Sequence, residues 1–324
     1  MESDGSKLTY GDVEEASRRI GRRVRPVTLA PMDARAITGS ESGQVWLALE
    51  YMQHTGSVNA RGALNFLRAH KQDGSLPDAG VTIASGGNAG LAFAWAARVH
   101  GVPAKVFLPC TAPQVTVDRL AALGAHVEPV GDEDANAVAA CEAFAASTGA
   151  LKAHPYDHPL IAGGAGTLLD EIRGQLPQLN TVVVAVGGGA LFAGVATAAE
   201  HHGVHTVAVE PESSRALYAA LDAGAVVDVD VDSVAADSPG VRRISEMALY
   251  AAQNYDVTPL LVTDHEITLA RRALWDHRRI VVEHGGATAL AALWLSGRYL
   301  PRQPDETVCV VLCGANTDPS DLAR

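Results

Sequence analysis

The chain has 324 residues, enough for two domains or one large one with a sizeable core. It is 48% hydrophobic and 19% charged, which describes a globular protein and excludes a disordered one. Its 25 basic and 37 acidic side chains leave a net charge of -12, which argues against an electrostatic hold on nucleic acid or an anionic membrane.

The stretch Met1 to Gly11 is polar and mixed in charge, unlike a signal peptide, so a soluble cytoplasmic protein is expected. From there, short apolar runs rich in β-branched residues alternate with Ala-rich segments of helical length. Val81–Ala84 reads as a strand, followed by a Gly-rich turn and a helix from Gly90 to His100. Next come strand Lys105–Leu108, helix Gln114–Leu123 and strand His126–Val130. An Ala-rich helix over Ala135–Ser147, strand Val182–Val186 and a helix after Gly189 follow. Val207–Val209 and Val308–Leu312 are further strands, and the acidic Val226–Val231 stretch reads as a strand edge or a loop. Strands alternating with helices imply parallel sheets covered on both faces.

Thr181–Ala199 is uncharged for nearly the length of a membrane span. Its Gly187-Gly188-Gly189 centre favours strand, loop and helix instead, since three glycines weaken a helix interior. Cys110, Cys141, Cys309 and Cys313 form neither a disulfide framework nor a zinc pattern.

Three glycine-rich turns each follow an apolar strand: Ser85-Gly86-Gly87-Asn88-Ala89-Gly90, Gly187-Gly188-Gly189-Ala190 and Cys313-Gly314-Ala315-Asn316. Ligands of open α/β sheets bind at the carboxyl ends of strands, where such turns lie. Consecutive glycines let amides converge on an anion, and the helix that follows adds its positive end. The second turn is the best phosphate cradle, although it lacks the Lys-Ser/Thr of a P-loop and the spacing of a dinucleotide fingerprint. A fourth segment, His54 to Asn65, leads small and hydroxyl residues into a helix that Ser57 is placed to cap. Within it Arg61 reads as a solvated helix charge and His54 as a surface residue.

Thr-Gly-Ser-x-x-x-Arg-Gly-Ala, Ser-Gly-Gly-Asn-Ala-Gly, Val-Gly-Gly-Gly and Cys-Gly-Ala-Asn stand in the order found in fold-type II pyridoxal-phosphate enzymes. The chain resembles their serine/threonine dehydratase (ammonia-lyase) family, which also includes serine racemases, from about Thr28 to Asp318. His154-Pro155-Tyr156-Asp157, Gly166-Thr167, Val209-Glu210-Pro211-Glu212 and Glu283-His284-Gly285-Gly286-Ala287 agree as secondary landmarks. The resemblance implies a tryptophan synthase β-like α/β fold of two parallel-sheet domains with the cofactor in the cleft between them. A large domain would comprise residues 1–66 and 158–324, and a small domain residues 67–157. A homodimer with an amino-acid substrate is implied as well.

The resemblance also assigns roles. Gly187, Gly188, Gly189, Ala190 and Leu191 would give amides to the phosphate of pyridoxal 5'-phosphate, and Asn88 would bond the ring's phenolic oxygen. Cys313 would face the pyridine nitrogen, and Glu283 resembles the carboxylate near the ring. Ser85, Gly86 and Gly87 would hold the substrate carboxylate. The second Ser of the family's Ser-Ser-Gly-Asn loop, a proton donor and acceptor in the racemases, is Gly86 here.

One departure outweighs these agreements. The family's Thr-Gly-Ser-Phe-Lys carries the Schiff-base lysine, and here Val58 and Asn59 replace Phe and Lys. A carboxamide is no nucleophile and no base. The only lysines are Lys7, Lys71, Lys105 and Lys152, none in a cofactor-facing motif. The cofactor would then be held non-covalently or through the substrate's amine.

Three explanations remain: an engineered change that traps bound substrate, a natural relative that binds a ligand or partner without catalysis, and a natural enzyme that uses pyridoxal phosphate without a lysine anchor or another cofactor altogether. The expected chemistry is β-elimination on a β-hydroxy amino acid, giving a 2-oxo acid and ammonia, disabled in this chain. Racemisation and β-replacement are the enzyme alternatives. Glu210 matches one ligand of a divalent-cation site of some relatives, but the second carboxylate would fall near Ala216, so no metal is assigned. His201, His202 and His205 read as surface residues.

Overall fold

A computed structural model describes residues 7–32, 44–235, 241–294 and 305–323. Its first element is helix α1 (Tyr10–Ile20), followed by strands β1 (Leu29–Met32) and β2 (Gln44–Ala48) and helix α2 (Asn59–Gln72). Strand and helix then alternate: β3 (Val81–Ala84), α3 (Asn88–His100), β4 (Ala104–Leu108), α4 (Gln114–Ala122), β5 (His126–Pro129), α5 (Asp134–Thr148), and the two-residue β6 (Leu151–Lys152). The chain continues through α6 (Pro159–Gln175), β7 (Thr181–Ala185), α7 (Ala190–His202), β8 (His205–Pro211), α8 (Ala216–Ala223) and α9 (Glu246–Asn254). It closes with β9 (Val257–Val262), α10 (Asp264–Arg278), α11 (His284–Trp294) and β10 (Thr307–Val311).

The strands form two sheets. One has the order β1-β2-β10-β7-β8-β9 and the other β5-β4-β3-β6. The second sheet is parallel throughout. In the first, β2 to β9 run parallel, and β1 pairs antiparallel with β2 at the edge. That antiparallel edge departs from the all-parallel expectation. Pro31 explains its position, since a residue without an N–H belongs on an edge strand. Strands at the centre are apolar on both faces, as Val182, Val183 and Val184 of β7 are fully buried between helical layers. Val226–Val231 forms no regular element, so the loop reading of that stretch holds.

Small residues set the closest helix crossing. A Cβ on Gly194 of α7 would overlap the Ala162 carbonyl of α6, and one on Gly166 would lie 2.7 Å from the Gly194 carbonyl. The Ala- and Gly-rich composition of these helices is thus a packing requirement, because contacts this short admit no side chain. The crossing fixes the start of α7 relative to the first sheet. Among the described residues, no helix is long and apolar enough to cross a membrane.

Candidate active site

The carboxyl ends of β3, β7 and β10 run into the three glycine-rich turns, which face one cavity of about 500 Å³. Helices α2, α3 and α7 start at that cavity, with Asn59, Asn88 and Ala190 as their first residues. The first-turn amides of α3 and α7 have no acceptor among the described residues, whereas those of Ala60 and Arg61 in α2 bond the Ser57 and Val58 carbonyls. The positive ends of the three helices make the space favourable for anionic groups. Ser85, Gly86, Gly187–Leu191, Glu283 and Cys313 line it with them. Gly87 lies one step away, in an adjoining recess of about 340 Å³ that also meets Asn88, Arg119 and Asn316.

The loop over Gly187–Gly189 is shaped by its neighbours. A Cβ on Gly188 would overlap the Tyr156 ring, and one on Gly189, which sits at φ 103°, would press on Ala248 and lie 3.0 Å from Ser245 Oγ. Glycine is the residue that fits both positions. The amides of Gly187, Gly188 and Gly189 have no acceptor among the described residues, whereas the Gly188 carbonyl accepts from Ser245 N at 3.1 Å. Ser245 also caps α9 through its side chain. The loop therefore holds its carbonyl outward and leaves its donors free.

A hydrogen-bonded network forms the neighbouring wall. Asn88 Nδ2 donates to Glu283 Oε1 at 2.6 Å, and Asn316 Nδ2 donates to Asn88 Oδ1 at 2.6 Å. The Asn316 amide donates to Glu283 Oε2 at 3.0 Å, and its side chain also reaches the Thr55 carbonyl at 2.8 Å. Glu283 is thus a structural partner of two turns, and its carbonyl accepts from the Ala287 amide at the start of α11. The Cys313 thiol, half-buried, lies 3.8 Å from the Gly285 carbonyl.

The segment around Asn59 behaves differently. Ser57 does not cap α2: it forms an isolated bridge with Gly314, and Val58 takes the cap position and donates its amide to the Cys313 carbonyl at 2.9 Å. The Ser57 and Thr55 hydroxyls are buried without a hydrogen-bond partner among the described residues. Asn59, half-exposed to the cavity, has no side-chain partner among the described residues either.

Arg61 is the largest correction to the sequence reading. It is not solvated but fully buried, and all five of its N–H donors are used. Glu50 takes two at 2.6 and 3.1 Å, Glu171 two at 2.8 and 3.0 Å, and Thr167 one at 3.2 Å. Burial works against its charge, but Glu50 and Glu171 outweigh that and hold its pKa above the ordinary value. The same loop places His54 against Trp95, stacked at 4.5 Å, half-buried and not on the open surface.

Other assignments shift as well. Lys152 lines the cavity on its outer wall, 2.9 Å from Glu142. Glu210 turns both oxygens to the start of α8, accepting from the amides of Leu217 and Tyr218 at 2.8 and 2.9 Å. Burial raises its pKa to about 7 despite those two bonds. No group of three metal-ligating side chains is found among the described residues. His201 is exposed as expected and stacks on Tyr10 at 3.7 Å. His202 is half-buried against Asp170, and His205 is buried beside Asp256 at 3.0 Å, so neither is a plain surface residue. Tyr156 and Asn316 belong to sequence motifs that carry no role for them. Tyr156 covers the glycine loop, donates its hydroxyl to the Arg243 carbonyl, and has its pKa raised by burial.

A family model described as pyridoxal-phosphate dependent enzyme matches residues 25–314. The chain belongs to that family. It is similar to an L-threonine ammonia-lyase of Geobacter sulfurreducens, 33% identical over 318 residues, 98% of this chain and 77% of that one. It is also similar to a catabolic L-threonine dehydratase of Staphylococcus aureus, 32% identical over 96% of this chain and 90% of the relative. Among solved structures, a T.th. threonine deaminase superposes with a TM-score of 0.85 at 30% identity, covering 96% of this chain and 99% of that one. Maize serine racemase, at 24% identity over 98% and 96% of the two chains, shares the fold with a TM-score of 0.89.

The family's cofactor is pyridoxal 5'-phosphate. The phosphate side of the cavity fits it: unpaired amides, a helix start and glycines that admit no Cβ form a cradle for a phosphate. At the start of α2 the residue that lines the cavity is Asn59, a carboxamide.

Proposed function

We propose that this chain binds pyridoxal phosphate and a β-hydroxy amino acid such as serine or threonine in the cleft, as the ammonia-lyases it resembles, with turnover suppressed by Asn59. The observation that carries this reading is the contrast at one cavity: the phosphate cradle and ring-side network are intact, and the residue at the first turn of α2 is a carboxamide. When bound, the cofactor supplies an electron-withdrawing ring that stabilises negative charge at the substrate's α-carbon.

The protein's part is to bind and orient. Gly187–Leu191 would hold the phosphate, and Asn88, fixed by Glu283 and Asn316, would bond the ring's phenolic oxygen. Cys313 would face the ring nitrogen. Ser85, Gly86 and Gly87 would place the substrate carboxylate at the start of α3. β-Elimination then requires a base at the α-proton, and Asn59 supplies none. The overall reaction releases a 2-oxo acid and ammonia from the amino acid.

Racemisation is disfavoured by a specific contact. A Cβ on Gly86 would lie 3.0 Å from Leu108 and 3.1 Å from Thr116, so this loop is packed for glycine and has no hydroxyl on its second face. The same reading places residues 1–66 and 158–324 in a large domain and 67–157 in a small one, supported by a four-stranded sheet built from residues 81–152. A homodimer in the cytoplasm completes it, and sedimentation of the purified chain tests the dimer.

The experiment is 2-oxo acid release from L-serine and L-threonine, with pyridoxal phosphate added, for this chain and for Asn59→Lys. Release by the lysine variant alone is the expected result. Robust turnover by the unchanged chain, or silence in both, would overturn the proposal.

A further inference from the structure

We infer that the amino acid taken by this cleft carries a neutral, apolar β-substituent larger than a methyl group, branched alkyl or aryl, seated between α5 and the carboxyl end of β4. This deepens the reading above and rests on it, since it presupposes that the cavity takes the cofactor and that Ser85, Gly86 and Gly87 hold the substrate carboxylate.

Three observations lead there. The first is where the cavity extends. Ala84 and Ser85 line it at the end of β3, and Ala84 pairs in register with Phe107 of β4, which lines it too. From α5, Ala137, Val138 and Cys141 join the same lining, at the three- and four-residue spacing that shares one helix face. The loop assigned to the substrate carboxylate thus leads within one residue onto the wall of β4 and α5.

The second is the character of that wall. Phe107, Ala137 and Cys141 belong to one apolar cluster, against which Ala84 packs. Beside them Val138 is 46% exposed, and of the large apolar side chains left exposed among the described residues it is the one that lines the cavity. Covering such a surface is favourable in proportion to the apolar area removed from water.

The third is that the polar groups on this side are engaged within the protein. The Cys141 thiol lies 3.4 Å from Thr82 Oγ1, and the Tyr156 hydroxyl donates to the Arg243 carbonyl at 3.1 Å, which leaves its ring to the cavity. Lys152, the single lysine or arginine among the described lining residues, is held by Glu142 at 2.9 Å. His154 Nδ1 accepts from the Tyr156 and Asp157 amides at 3.3 and 2.8 Å, so the neutral ring keeps its proton on Nε2 and offers a donor to a hydroxyl. Among these residues no free cation awaits a carboxylate on the substrate's side chain. The rival is Arg119 in the adjoining recess, exposed to water and therefore a weak hold on an anion.

The test is calorimetric titration of the purified chain with the N-(5'-phosphopyridoxyl) conjugates of L-serine, L-threonine, L-threo-3-phenylserine and L-threo-3-hydroxyaspartate. These stable secondary amines share ring, phosphate and α-carboxylate and differ only at the β-carbon. The phenylserine conjugate should bind at least about tenfold more tightly than the serine conjugate, equivalent to about 1.4 kcal/mol, with threonine between and hydroxyaspartate weakest. Val138→Asp, at an exposed position that folding tolerates, and Ala137→Leu, which fills the space from a buried one, should each remove that preference. Equal affinity for the serine and phenylserine conjugates, a preference for hydroxyaspartate, or a phenylserine preference that survives in Val138→Asp would overturn the inference while leaving the cofactor reading intact. Binding of no conjugate would overturn the cofactor reading, and the inference with it.

Discussion

The two walls of the cleft are built on opposite terms. On the wall of Gly187–Leu191, Asn88, Glu283 and Asn316, side-chain polar groups bond one another and glycines are jammed against their neighbours. At the start of α2 the Asn59 carboxamide faces the cavity without a hydrogen-bond partner among the described residues, and the Thr55 and Ser57 hydroxyls that precede it in the chain are buried without one. Satisfied groups hold shape, and unsatisfied ones mark where another molecule completes the bonding. The side chains around the glycine turns are bonded to one another, whereas the carboxamide at the start of α2 is open to the cavity.

The contrast is best broken by cutting the frame. Arg61→Ala leaves Glu50 buried without its cation and should cost about 3–5 kcal/mol, read as a lower urea midpoint. Gly188→Ala drives a methyl into the Tyr156 ring and should cost about 1–3 kcal/mol together with phosphate affinity, measured by thermal unfolding and by titration with inorganic phosphate.

His158 sharpens the picture through pH. Burial lowers its pKa to about 4, from an ordinary value near 6.5, and its Nδ1 accepts from the Leu160 amide at the start of α6. Its contribution to stability is therefore full above pH 6.5 and lost as pH falls toward 4. His158→Asn keeps a capping acceptor and should flatten the acid limb of the unfolding free energy over that interval. Ser245→Ala removes the α9 cap next to the glycine loop and should cost about 1 kcal/mol, seen as a small drop in melting temperature. At the far end lies Asn59→Leu. It breaks no protein hydrogen bond, so the ligand-free chain should keep its urea midpoint within about 0.5 kcal/mol.

The turns were legible in the sequence because glycines after apolar runs have few readings, and Asn88, Cys313 and Gly187–Leu191 do meet at one cavity. Arg61 was not legible. A helix charge looks the same whether solvated or buried until Glu171, 110 residues on, folds against it. Asn316 escaped for the same reason, since its bond to Asn88 joins residues 228 apart. The antiparallel β1–β2 edge left no periodic signal, with Pro31 inside a four-residue strand. Ser57 followed the usual rule for a helix start, yet its backbone pairing with Gly314 moved the cap to Val58. Local pattern fixed the elements, and long-range bonds decided what each side chain does.

That pairing of Ser57 with Gly314 also bears on how the protein is made. A ribosome delivers α2 early, but the strand that leads to its partner turn is β10, more than 230 residues further on and the last among the described residues. Contacts this distant in sequence form late and slowly. Throughout most of synthesis, the bonds of Ser57, Val58 and Gly56 to the Cys313–Ala315 turn are unmade, and β2 lacks its parallel neighbour β10. A product cut short before residue 307 lacks β10 and the Gly314 turn that lies against the cleft, so ligand binding reports that synthesis has passed these residues.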